Sequence, residues 1–257
     1  LQQARRLHND CASVTGRTVG ENLQGRETRD REVIRPFDRP LLEKAGFLVL
    51  SGNLFDFGIL KTSVISEAFR TRYLSRPGQE GTFEARAVVF EGADDYHARI
   101  NDPALNIDEG CILVMRGAGP IGWPGSAEVV NMQPPDALIQ RGINTLPTLG
   151  DGRQSGTADS PSILNVSPES AVGGGLSWLQ SGDTIRIDLN TGRCDALVAP
   201  EEIERRRREL PAPPIPKSQS PWEALYREKT GQLVDGATLD FALQFQRISE
   251  NTPRHNH

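Results

Sequence analysis

The sequence predicts an α/β fold, a mixed sheet with flanking helices, and three observations carry that expectation. From Phe47 onward, strand-like apolar runs alternate with glycine-bearing loops: FLVLSGNLFDFGILKTSVI, ARAVVFEG, CILVMRGAGPIGWPG and INTLPTLGDG. Helical patterns fall between them, notably GADDYHARIND and PPDALIQRG. Two later β-rich pieces, DTIRIDLN and RCDALVAP, meet at Asn190-Thr191-Gly192, a sequence suited to a hairpin turn.

Taken in order, residues 1 to 25 open with a short helical pattern ending near Asn9, and Thr15 or Thr18 can start a further turn of helix. The charged GRETRDREVIRP that follows reads as a tether ending at Pro36. Leu1 is not a methionine and the chain opens inside a helical pattern, so the sequence reads as a fragment. Farther along, Ile143 to Leu149 reads as a buried strand that delivers a polar loop to one edge of the sheet. EEIERRRREL, residues 201 to 210, is a short helix whose acidic start and basic end suit the helix dipole. Its four successive arginines sit among glutamates, so they read as a solvated face rather than a nucleic-acid site. PAPPIPKSQSP is a polyproline-like spacer. The last segment carries Trp222, Leu225, Tyr226, Leu233, Leu239, Phe241, Leu243 and Phe245, enough apolar mass to dock onto another surface.

Composition narrows the function classes. The chain has 257 residues, 37% of them hydrophobic, long enough for one good core with an accessory segment. A net charge of −5 removes any global electrostatic footprint for nucleic acid, so an anionic partner needs a local basic site or a metal. No run approaches the roughly 18 apolar residues that span a bilayer, and no basic-then-apolar leader opens the chain, so no membrane association is expected and the protein is expected in the cytoplasm. Cys11, Cys111 and Cys194 are odd in number and far apart, without CxxC spacing, which argues against a disulfide framework or a self-contained metal site.

The chemistry concentrates in LGDGRQSGTADSPSILNVSPE, Leu149 to Glu169. Gly150, Gly152 and Gly156 surround Asp151, Arg153, Ser155, Thr157 and Asp159, letting a ligand approach the main chain while short polar side chains point into one small volume. A plain polar turn would be shorter. A second loop, Arg116 to Glu128, also follows a strand and ends in a carboxylate; its GAGPIG departs from both GxGxxG and the P-loop, so phosphate cradling has little support. Ser155 lacks a GxSxG frame, and His8, His97, His255 and His257 cannot be placed beside it, which weakens a Ser-His-Asp hydrolase. A lone serine can still serve as a base when a cation holds it as alkoxide, and that version needs a metal nearby.

Three motifs in order, SGNLFDFGILKTSVIS, EGCILVMRGAGPIGWPG with its downstream glutamate, and GDGRQSG…NVSPE, resemble the carboxy-terminal half of the dihydroxy-acid and phosphogluconate dehydratase family. The resemblance covers most of residues 10 to 250, and its motif forms are closest to the sugar-acid (pentonate) dehydratases. It implies a swivelling β/α domain with a β-barrel-like mixed sheet. On that reading residues 1–35 end a truncated amino-terminal domain and linker, 36–210 form the swivelling catalytic-half domain, and 211–257 are the proline-rich spacer and docking tail. It further implies removal of water from a sugar acid such as arabinonate, xylonate or gluconate, giving a 2-keto-3-deoxy acid, with an iron–sulfur cluster (2Fe-2S or 4Fe-4S) and Mg²⁺ as cofactors. Carried over by motif, Ser155 is the base at C2, Thr157 binds substrate and Glu128 is a Mg²⁺ ligand. None of Cys11, Cys111 or Cys194 matches a cluster-ligand motif, so the cluster ligands are expected outside this chain, which reads as half an active site, inactive in isolation. A homo-oligomer, dimer or tetramer, is the expected assembly.

Three alternatives stand beside this reading: a dihydroxy-acid dehydratase of branched-chain amino-acid biosynthesis, a non-catalytic binding domain that keeps the loops for structure, and a hydrolase using Ser155. The terminal His255 and His257, with Arg254, either fray into solvent or meet the substrate as a docked cationic tail. Ser155→Ala in the complete enzyme should abolish turnover and leave the fold intact, because it removes the base but little packing. Steady-state rates within about tenfold of wild type, ~1.4 kcal/mol of barrier, would refute the assignment.

Overall fold

The structure is a computed structural model that describes residues 1–2, 4–41, 43, 45–125, 132–153, 161–212 and 215–245. The chain divides into two compact units, Leu1–Ala45 and Gly46–His257. In the first, α1 (Val19–Leu23) opens on a capping box: the Glu21 amide donates to Thr18 Oγ1 and the Thr18 amide to the Glu21 carboxylate. The helical pattern at the chain start forms turns instead, with Arg5 at φ +52°, a left-handed conformation that an α-helix cannot carry.

The second unit is built on one eight-stranded sheet in the order β1-β2-β6-β5-β4-β3-β7-β8. Its strands are β1 (Phe47–Leu50), β2 (Phe57–Lys61), β3 (Thr82–Glu91), β4 (Cys111–Arg116), β5 (Thr148–Gly150), β6 (Ser162–Ser167), β7 (Thr184–Asp188) and β8 (Arg193–Ala196). The neighbours β3, β4, β5 and β6 run parallel, and antiparallel pairings attach β2 to β6 and β7 to β3. The hairpins β1–β2 and β7–β8 complete the two ends, the latter through the anticipated Asn190–Gly192 turn. The expected mixed sheet with flanking helices is therefore present. Two elements differ from the sequence reading. Only Thr148–Gly150 of the segment 143–150 is strand, and Ser162–Ser167, inside the polar-looking stretch, is a central strand buried on both faces. Its serine and asparagine hid that identity; Thr148 Oγ1 and Ser162 Oγ satisfy each other at 2.6 Å across β5 and β6.

Strand alternation sorts the core into two layers. Leu50, Leu60, Ala87, Ile112, Val114, Leu149, Ile163, Ile185 and Cys194 share one face and pack together with Trp178, filling the inside of a nearly closed barrel. Val88, Phe90, Leu113, Met115 and Leu164 point the other way and are covered by Tyr96 and Ile100 at α3 (Gly92–Arg99, following α2 at Glu67–Phe69) and by Leu138 of α4 (Asp136–Ile139). α5 (Pro200–Glu209) is anchored where Arg206 meets Asp183 at 2.5 Å, both side chains about 11% exposed. The solvated-face reading of the arginine run holds for Arg205, Arg207 and Arg208, which are exposed, whereas Arg206 is half-buried and paired with Asp183 and Glu202; Arg205 and Arg207 pair with Glu202 and Glu204, and i,i+3 and i,i+4 spacing explains the ladder. α6 (Pro221–Lys229) begins with Ser220 accepting from the Glu223 amide. Among the described residues no helix is long and apolar enough to cross a membrane.

The barrel is closed by a side chain that imitates backbone. Ser51 bridges to Arg193 in parallel, with its amide on Gly192 O (3.0 Å) and its carbonyl accepting from the Cys194 amide (3.0 Å). Asn53 then continues the ladder: its Nδ2 donates to Ala196 O and its Oδ1 accepts from the Ala196 amide, both at 2.8 Å. Between them Gly52 lies so close to β8 that a Cβ would collide with the Cys194 carbonyl. Asn53→Ala leaves a half-buried amide and carbonyl of β8 without partners, so it should lower the thermal unfolding midpoint by an amount equivalent to about 2–4 kcal/mol.

Candidate active site

The four parallel strands all end at one edge of the sheet, and the segments that leave them there meet. β3 runs into α3 at Gly92 (φ +80°), β4 into the loop 117–125, β5 into Asp151, and β6 into Pro168 and Glu169 across the cis peptide Ser167–Pro168. Edges of this kind, at strand carboxyl ends, are where α/β proteins assemble binding groups.

Two fully buried carboxylates organise this edge. Asp151 Oδ1 accepts from the Ala118 amide at 2.9 Å, and its Oδ2 from the Gly117 amide (3.1 Å), the Ser170 amide (2.9 Å) and Ser170 Oγ (2.6 Å). Ser170 Oγ in turn accepts from the Gly117 amide at 2.8 Å. Glu169 takes the other half of the loop: Oε2 accepts from the Gly122 amide at 2.9 Å, and both oxygens lie 3.0–3.1 Å from the Ile121 amide. Gly119 must be glycine because a Cβ there would collide with the Glu169 carboxylate. Burial pushes the Glu169 carboxyl above the usual carboxylate range, opposed by the donors from Gly122, Ile121 and Gln232.

The glycine-rich loop is thus an anion cradle whose anions are the protein's own. That removes the phosphate reading of GAGPIG, since four of its amides are already committed. It also corrects the expectation that Asp151 presents its carboxylate to a ligand: the side chain is 0% exposed and spent on backbone. Glu169 was missed as an organising group; its loop partners lie 47 and 48 residues away in sequence.

Arg116, at the end of β4, makes a bidentate ion pair with Glu91 at the end of β3 and uses Nη1 to donate to the carbonyls of Leu176, Ser177 and Leu179 at 2.8–3.0 Å. Beside it opens a cavity of about 890 Å³, lined by Glu91, Asp94, Arg116, Trp123, Arg207 and Leu210 among others. That volume is in the range of small-molecule sites.

Of the residues singled out in the sequence, Glu128, Ser155 and Thr157 lie outside the described residues, as do His255 and His257. The flanks are described: Gly125 and Met132 bracket Glu128, and Arg153 and Pro161 bracket Ser155 and Thr157. On the described flanks, Gly152 O accepts from the Asn165 amide and Pro161 O accepts from the Thr148 amide at 3.4 Å.

The described residues do not fit an iron–sulfur cluster. No group of three His, Cys, Asp or Glu among them could hold a metal. Cys194 is inside the barrel and burial pushes its thiol well up; Cys111 is buried, its Sγ held between Arg86 and Asp108, and burial raises it too.

Comparison with known proteins bears on this edge. The family model of the dihydroxy-acid/6-phosphogluconate dehydratase C-terminal domain matches residues 32–237. The chain belongs to this family. Within it, the chain is similar to the D-xylonate dehydratase of Caulobacter vibrioides, 69% identical over 258 residues that cover all of this chain and 43% of that protein. It is 38% identical to the L-arabinonate dehydratase of Rhizobium leguminosarum, over 94% of this chain and 40% of that one. It is 33% identical to a dihydroxy-acid dehydratase of Methanothermobacter thermautotrophicus, over 91% of this chain and 40% of that one. The chain therefore spans about two-fifths of the length of these relatives.

Asp151→Asn should destabilise the protein by about 2–4 kcal/mol, because an NH₂ then faces backbone or hydroxyl donors that need an acceptor. Asp94→Asn, an exposed change on α3, should stay within about 0.5 kcal/mol in the same denaturant titration.

Proposed function

We propose that this chain is the carboxy-terminal part of a sugar-acid dehydratase, a hydro-lyase that turns an aldonate into a 2-keto-3-deoxy acid, with D-xylonate the leading substrate. The observation that carries this is the 69% identity to a D-xylonate dehydratase along the whole chain. The site edge supports it: the glycine-rich connection 117–122 at the carboxyl ends of the parallel strands is held in place by two buried carboxylates.

In this proposal Ser155 takes the C2 proton. The C–H electron pair forms the C2–C3 double bond, the C3–O bond breaks, and the departing hydroxyl leaves as water on gaining a proton. The resulting enol takes up a proton at C3 and gives up its 2-hydroxyl proton, becoming the 2-keto acid. Thr157 hydrogen-bonds the substrate, and Glu128 is the carboxylate this chain would offer to Mg²⁺, whose preference is for hard oxygen ligands. An iron–sulfur cluster and Mg²⁺ would supply Lewis acidity at the 3-hydroxyl and at the carboxylate and 2-hydroxyl; the cluster's ligands belong outside this chain. The working protein is a cytoplasmic homo-oligomer.

A site lined by hydroxyls and charge leaves polar groups unpaired around a methyl-bearing substrate, at a cost of a few kcal/mol. The complete enzyme should accordingly prefer D-xylonate, L-arabinonate or gluconate over 2,3-dihydroxyisovalerate by about 100-fold or more in kcat/KM, followed as 2-keto acid formed. A preference for dihydroxyisovalerate would replace this reading with the branched-chain one.

A further inference from the structure

α6 and the segment after it touch the site edge through directed polar contacts. Gln232 and Glu169 grip each other reciprocally: Gln232 Nε2 donates to Glu169 Oε1 at 3.0 Å, and the Glu169 amide donates to Gln232 Oε1 at 2.8 Å. Arg227 Nε donates to Ile121 O at 3.0 Å, on the same residue whose amide Glu169 receives. Val234 adds an amide on Ser167 Oγ at the end of β6, at 3.2 Å. Of the apolar side chains expected to dock this segment, Trp222, Leu225 and Phe241 are exposed and Tyr226, Leu233 and Leu239 are half-buried, while the side chains of Leu243 and Phe245 lie outside the described ones. Its grip is therefore aimed at the carboxylate and the peptide that shape the β4 loop.

We propose that Gln232, acting through Glu169, is a positioning residue that makes the geometry of the loop 117–122 depend on the carboxy-terminal segment. The inference rests on the dehydratase reading for its kinetic consequence, because Glu128 follows Gly122 by six positions in the sequence. Its physical basis is independent of that reading. Glu169 is buried, and every donor it loses makes the charged form harder to keep. Removing the Gln232 amide leaves two backbone donors, and a carboxyl that takes up a proton turns one acceptor oxygen toward the Ile121 and Gly122 amides into a donor. The loop then lacks the acceptor that fixes it above Gly119. The charged groups around the pair are Asp151 from β5, which opposes ionisation of Glu169, Arg227 from α6 on the Ile121 carbonyl, and Asp235 three residues beyond Gln232 on its own turn; residues 117–122 contribute none.

The test uses the complete enzyme with Gln232→Ala and the near-isosteric Gln232→Glu. Gln232→Ala should speed amide exchange at residues 117–122 at least tenfold while leaving α3 unchanged, and lower kcat on the best aldonate at least tenfold with a smaller effect on KM. Gln232→Glu should add a pH dependence. Its new carboxyl, when protonated, can donate to Glu169 as the glutamine does, whereas the ionised form repels it, so activity and loop protection near wild type at low pH are lost as pH rises. Wild-type exchange at 117–122 in Gln232→Ala, or a wild-type pH profile in Gln232→Glu, overturns the proposal. Should Gln232→Ala fail to fold, Gln232→Glu at low and high pH decides alone. Should the wild-type enzyme dehydrate no aldonate, the functional reading fails, and the exchange measurements still decide whether Gln232 positions the loop.

Discussion

A loop that turns sharply over a sheet edge points its amides inward, and buried amides need acceptors. Between Gly117 and Gly122 four of them converge on two carboxylates, Asp151 and Glu169, contributed by the next two strands of the parallel set. The arrangement works in both directions. The amides make it tolerable to bury two acids within one edge, and the acids fix the path of a glycine-rich segment that has little stiffness of its own. Ser170, next to Glu169 in the chain, donates to Asp151 and accepts from Gly117, so the described residues that directly follow β4, β5 and β6 are tied to one another.

This explains which parts of the molecule could be seen in the sequence. Local patterns sufficed for α3, α4, α5 and the β7–β8 hairpin, because periodicity, terminal charge and turn residues lie within a few positions of each other. β6 was hidden, since Ser162, Asn165 and Ser167 look like loop residues until the neighbouring strand supplies Thr148 as a partner. The site edge was recognisable as two glycine-rich loops. What those loops close upon was not, because Asp151 lies 33 and 34 residues from its amides and Glu169 47 and 48 from its own. An isolated glycine-rich segment looks the same whether its anion arrives as a ligand or is carried on a distant strand.

The family relationship gives this distinction a use. Residues 32–237 belong to a domain shared by dehydratases of differing substrate names, and the features described at the edge are backbone-directed contacts that do not read a substrate. A shared fold does not by itself fix a substrate.

The closure of the barrel has a further meaning for the protein's synthesis. Residues 51–53 find their partners at 192–196, about 140 positions later in the chain. A nascent chain emerging from the ribosome carries β1 with one open edge until β8 has appeared, and contacts of such separation form slowly. Until then the backbone and amide groups of residues 51–53 lack their partners on β8, the kind of open edge that pairs with other chains. The Asn53 amide latch thus forms only once the chain has been made through β8, and it is then that residues 51–53 join the two ends of the sheet.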